Sequence, residues 1–112
     1  MIRNKKEIAS NGRSTFYAAI WEDIRQAAWE CGWAVALHGS LSRDMDIMAM
    51  PWVEDCTDEE VMIKTIIERC FGDSIISQCG LKIDRSKPHG RVCYLIPIYN
   101  DVYLDISIMG NK

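Results

Sequence analysis

Between Ser14 and Cys31 the apolar residues Tyr17, Ile20, Trp21, Ile24, Ala28 and Cys31 recur at helical spacing, while Glu22, Asp23, Arg25, Gln26 and Glu30 fill the opposite side. This pattern predicts an amphipathic helix, and Gly32 stands where a helix-ending glycine belongs. The residues before it, Asn4 to Gly12, are polar and without period, so residues 1–12 are expected to form a loose arm. Trp33 to Leu37 is a short continuous apolar run, the form of a strand buried on both faces, and it stops at His38-Gly39-Ser40. A second strand is expected from Asp44 to Met50, stopped by Pro51, and the short connection predicts an antiparallel hairpin with Gly39 in or near the turn.

Thr57-Asp58-Glu59-Glu60 has the Thr-x-x-Glu form of a capping box. Ile63, Ile66, Ile67, Cys70 and Phe71 make the apolar stripe of the helix behind it, and Gly72 its stop. Ser74 to Ile83 fits a short helix or a strand equally well. Lys82 to Arg91 is a basic loop, and Val92 to Ile98 and Val102 to Met109 are β-rich runs joined through Tyr99-Asn100-Asp101, a second predicted hairpin. The order predicts an α/β (α+β) fold, a mixed and largely antiparallel sheet with both helices packed on one face.

At 112 residues and 48% hydrophobic, the chain has material for one core, hence one domain over residues 1–112. No run approaches the roughly 20 apolar residues that span a bilayer, and no apolar segment follows the charged start, so a soluble, cytoplasmic protein without membrane partners is expected. The formal charge of −3 argues against coating nucleic acid by bulk charge. Five cysteines, an odd number without a Cys-x-x-Cys pair, are expected to be reduced structural thiols.

The candidate chemistry is carboxylate chemistry. Strand side chains alternate, so Asp44 and Asp46 share a face while Met45, Ile47 and Ala49 turn to the other. Near the chain's end, Asp105 shares a face with Tyr103 and Ser107 while Leu104, Ile106 and Ile108 face the core. A last strand lying beside the Asp44 strand would gather all three acids. Closely spaced carboxylates repel unless solvated, protonated or bridged by a cation, and oxygen donors of this kind suit Mg²⁺ or Mn²⁺.

His38-Gly39-Ser40, then Asp44-Met45-Asp46 on a strand, then Asp105 flanked by apolar residues, resembles the signature of the nucleotidyltransferase superfamily, which includes the polymerase-beta-like and minimal nucleotidyltransferases. The resemblance implies a Mg²⁺- or Mn²⁺-dependent enzyme that takes an NTP and passes a nucleotidyl group to a hydroxyl acceptor. By resemblance, Asp44, Asp46 and Asp105 are the catalytic metal ligands, and Gly39 and Ser40 contact the nucleotide phosphates. Arg43, Lys87, His89 and Arg91 are candidate counter-charges for phosphate, Arg43 serving equally well as a salt-bridge partner of the acids. The small size implies an acceptor surface supplied by a second copy or a protein partner. Only Leu41-Ser42-Arg43 separates Ser40 from Asp44, shorter than in most family members, and this keeps open a non-catalytic metal- or nucleotide-binding or protein-interaction module on the same fold. Gly-Ser-Leu-Ser-Arg-Asp-Met-Asp and Lys-Pro-His-Gly-Arg also resemble short bacteriophage proteins.

Bland readings stand beside these. His38, at the end of a strand taken as buried, is expected to be structural. Trp21, Trp29, Trp33 and Trp52 are expected in the core, although an exposed Trp52 near the acids would suggest base stacking.

Overall fold

The computed structural model describes residues 5–41, 43–72, 81–99 and 102–110, and the side chains of all of these except 5–11 and 99. The first helix, α1, covers Lys5–Glu30. Its inner face is the predicted one, with Tyr17, Ile24, Ala28 and Cys31 buried together with Ala27. Its backbone begins well before Ser14, however, and takes in most of the stretch expected as a loose arm. Lys5, Lys6, Glu7 and Ala9 are good helix formers, and a helix that is extended from an anchored segment needs no apolar stripe of its own.

Strands β1 (Trp33–His38) and β2 (Asp44–Pro51) form the predicted antiparallel hairpin. Helix α2 (Glu59–Phe71) follows, with Met62, Ile63, Ile66 and Ile67 buried and Gly72 at φ 82° ending it. Two further strands, β4 (Val92–Tyr99) and β5 (Val102–Ile108), pair antiparallel as predicted, and a short β3 (Lys82–Asp84) adds to β4. Strand β3 occupies the start of the expected basic loop. The ambiguous Ser74 to Ile83 segment otherwise lies almost wholly outside the described residues.

The sheet order is β1-β2-β5-β4-β3, with β2 and β5 parallel and every other pairing antiparallel. The chain leaves β2 through α2 and returns to lay β5 against β2. Met45, Ile47 and Ala49 of β2, Leu104, Ile106 and Ile108 of β5, and Tyr94 and Ile96 of β4 join α1 and α2 in one core. Phe16 of α1 stacks on Phe71 of α2 with ring centroids 6.5 Å apart. Both helices therefore cover one face of the sheet, and the alternate residues of its strands face away from them.

Three local expectations are corrected. The β1 strand is an edge strand, open from Ala36 onward, because the sheet grows on the far side of β2. The capping box does not form: Asp58 is the α2 N-cap, with no side-chain cap hydrogen bond. Thr57 is otherwise engaged, its N–H donating to the Cys31 carbonyl at 2.9 Å and its hydroxyl to the Asp58 carbonyl at 3.0 Å. Finally, Trp33 is buried and Trp21 half-buried, but Trp29 and Trp52 are exposed. Among the described residues Cys31, Cys56, Cys70 and Cys93 are free thiols, and no helix is long and apolar enough to cross a membrane.

Candidate metal centre

On the sheet face away from the helices, register does what alternation alone could not. Asp46 pairs with Asp105 across the parallel β2–β5 ladder, and Asp44 pairs with Tyr103 two residues along. Carboxylate oxygens of Asp44, Asp46 and Asp105 lie within 4.8 Å of one another. Oxygens bound to one Mg²⁺ ion at about 2.1 Å sit roughly 3 to 4.2 Å apart, so a small contraction, or a pair of bridged ions, would satisfy the trio. Asp105 Oδ1 is buried without a hydrogen-bond partner among the described residues. A buried, unpaired carboxylate oxygen facing two further carboxylates suits a hard cation.

The electrostatics agree. The carboxyl of Asp105 is held above the usual carboxylate range by burial first, then by the charges of Asp46 and Asp44, with Lys87 and Arg91 pulling the other way. Asp46 is raised by burial and by Asp44, and lowered by His38. Without a cation, the cluster opposes its own full ionisation.

Helix α1 sets where the two acidic strands begin. The fully buried Tyr17 donates its hydroxyl to the Arg43 carbonyl at 2.6 Å and accepts from the Tyr103 N–H at 3.2 Å. Arg43 immediately precedes Asp44 and Tyr103 is Asp44's register partner, so one phenol ties the starts of both acidic strands to the helix. Ser14 adds a bond from its hydroxyl to the Leu41 carbonyl at 3.1 Å, in a turn where Leu41 holds φ 62°. Tyr17 reads in sequence as one more apolar position of the stripe. Its hydroxyl, an expensive group to bury without partners, is the signal that it has a second task.

Gly39 turns out to be needed by the acids themselves. Its φ is +83°, and a Cβ there would stand 2.8 Å from Asp46 Oδ2. The backbone at Gly39 thus lies directly against the Asp46 carboxylate. His38, expected to be structural, is instead exposed and pairs with Asp46 across the β1–β2 ladder.

The candidate phosphate contacts separate into groups. Arg43 joins Arg13, which sequence reasoning missed, in a cleft of about 300 Å³ lined by these two arginines, Asp44 and Tyr103. Arg13 lies one turn before Tyr17, between the expected arm of residues 1–12 and the periodic segment that starts at Ser14, where periodicity carried no signal. Lys87 is ion-paired with Asp84 at 3.7 Å, and its charge and that of Arg91 are felt at Asp105. His89, at φ 64°, lines a second cleft together with Arg91, Glu59, Arg85 and Pro88, and none of the three aspartates lines it.

Comparison with family profiles, with curated proteins and with solved structures gives no match to this chain.

Proposed function

We propose that this protein is a divalent-metal-dependent nucleotidyltransferase, using Mg²⁺ or Mn²⁺ and an NTP to modify a hydroxyl acceptor. The observation that carries the reading is the meeting of Asp44, Asp46 and Asp105 on one open sheet face, from strands far apart in the chain. The ordering of a helix, the His38-Gly39-Ser40 turn and the Asp-x-Asp strand around them supports it. So does the arginine-lined cleft beside Asp44, which offers guanidinium groups to phosphate oxygens next to the carboxylates.

In this reading Asp44, Asp46 and Asp105 hold the ion or ions, which neutralise charge on the reacting phosphate and lower the pKa of the attacking hydroxyl. Arg13 and Arg43 orient the triphosphate, and the Gly39-Ser40 turn closes over it from the Asp46 side. His38, exposed and paired in register with Asp46, partly offsets the rise that burial and Asp44 impose on that carboxyl. The test is transfer of label from an α-labelled NTP in the presence of Mn²⁺. Labelled product that disappears in the Asp44→Ala, Asp46→Ala variant supports the enzyme; no product with any of the four NTPs, in folded protein that binds Mn²⁺, rejects it.

A second reading, a metal- or nucleotide-binding module without turnover, is favoured by the short Gly39–Arg43 connection and its tether to Ser14. It expects Mn²⁺ and NTP to raise the melting temperature together while no label is transferred.

A further inference from the structure

At the other end of β2 from Asp44, two exposed tryptophans share one cleft. Trp29 is 55% and Trp52 60% exposed, and both line a cleft of about 260 Å³ together with Glu30, Val53, Asp55 and Thr57. The frame around them is pinned. The Gly32 carbonyl accepts from Trp52 N–H at 2.9 Å and from Val53 N–H at 3.3 Å, and Thr57 N–H donates to the Cys31 carbonyl at 2.9 Å. From inside, the buried Trp33 indole donates to the Thr57 carbonyl at 2.9 Å. Gly32 is packed so closely, at φ +83°, that a Cβ would lie 2.7 Å from Val53 Cγ2. Two large indoles are therefore held in water by a rigid support, the arrangement of a binding hot spot rather than of a loose loop.

Among the described residues, the cleft is lined by acidic side chains and by no basic one. It lies at the C-terminal end of a 26-residue helix whose last turn carries no basic residue, so the negative end of the helix dipole is uncompensated from within α1. Glu30 and Asp55 add carboxylates to the lining, and Glu54 stands next to Asp55. The α2 residue Arg69 already pairs with Glu30, so an incoming guanidinium would pair with Asp55. A cation that stacks on indole and pairs with carboxylate fits all of these features at once, and that describes arginine. A nucleotide base stacked here would bring its phosphates against the same carboxylates and helix end. The volume is below the roughly 300 to 1,000 Å³ of ordinary small-molecule pockets and suits a single side chain.

We propose that the Trp29–Trp52 cleft is a docking site for an arginine side chain carried on a basic peptide segment of a protein partner. The site lies apart from the metal centre, since the six residues from Asp46 to Trp52 span about 20 Å at roughly 3.3 Å per residue. A partner seated there leaves the carboxylates open.

The experiment follows the four indole N–H signals of the ¹⁵N-labelled full chain, assigned with single Trp→Phe variants. The probes are blocked Gly-Arg-Gly-Arg-Gly peptide, its lysine, glutamate and leucine counterparts, and AMP. The arginine peptide is expected to shift the Trp29 and Trp52 signals saturably and leave Trp21, which does not line the cleft, unmoved. The lysine peptide should bind about threefold more weakly and the glutamate peptide not at all. Trp52→Ala should weaken the arginine peptide about tenfold and Asp55→Asn about threefold, with the Trp33 signal reporting that each variant is folded. No shift with the arginine peptide overturns the proposal. So does equal binding of the leucine peptide, which would make the cleft an apolar dock, or a stronger response to AMP, which would make it a base-binding site.

Discussion

The two faces of β2 and β5 are built by the same alternation and solve opposite problems. Toward the helices, Met45, Ile47, Leu104 and Ile106 are essentially dry and interdigitate with α1 and α2. One residue along each strand, Asp44, Asp46 and Asp105 are pressed together, with burial and mutual repulsion raising the carboxyls of Asp46 and Asp105. The first face supplies stability, and the second consumes some of it to hold charges where a cation would want them. Carboxylates gathered against their own repulsion are a recurrent mark of functional sites.

The largest effect expected from testing this contrast is on the dry face. Ile106→Ala removes a fully buried side chain between β5 and the helices and should cost about 2 to 5 kcal/mol in urea unfolding. Next comes the metal. At about one hundred times its dissociation constant, Mn²⁺ should stabilise the protein by about 2.7 kcal/mol, and the Asp44→Ala, Asp46→Ala variant should lose all of that shift in thermal melting. An unchanged Mn²⁺ response in that variant would place the ion elsewhere.

Between the faces stands Tyr17. Tyr17→Phe keeps the ring in the core but strips the Arg43 carbonyl and the Tyr103 N–H of their shared partner. The expected cost is about 1 to 2 kcal/mol, together with weaker Mn²⁺ binding by calorimetry. Loss of stability with unaltered Mn²⁺ affinity would reduce Tyr17 to a packing residue.

The smallest effect has the most informative sign. Asp105→Asn should raise the melting temperature of the metal-free protein, because it removes the repulsion from Asp46 and Asp44, while weakening its response to Mn²⁺. The pH dependence follows the same logic. Asp105 has a folded pKa raised above its ordinary 3.8, so the folded state holds this proton more tightly than the unfolded state does. Its contribution to metal-free stability is present below about pH 3.8 and is lost as pH rises through the raised folded value. Mn²⁺ binding needs the ionised form and should weaken over the same window as pH falls. A melting series at stepped pH, with and without Mn²⁺, should show the two trends crossing.

Much of this was legible from residue order, for identifiable reasons. The α1 and α2 stripes, both hairpins and the shared face of Asp44 and Asp46 follow from local periodicity, which acts over a few residues. The expectation that Trp33 to Leu37 is buried on both faces failed because burial depends on neighbours, and among the described residues β1 has only β2 beside it. The capping box failed because Thr57 is claimed by the Cys31 carbonyl, a partner 26 positions away. Trp29 sits at helical spacing and Trp52 just after a strand, and neither position says whether another element covers it.

What the sequence determined by itself is the set of available parts: two amphipathic helices, strands with one apolar and one acidic face, and glycines where the backbone must turn to positive φ. These rest on chain-local physics, the 3.6- and 2-residue periods and the sterics of the backbone. The tertiary structure alone decided that β5 lies parallel to β2 with Asp105 against Asp46, that Tyr17 holds the starts of both strands, and that Arg13 arrives beside Asp44. Those are contacts between residues as far as 86 positions apart. They are chosen by how the helices and the sheet bury their apolar faces together, a condition satisfied by the whole chain at once.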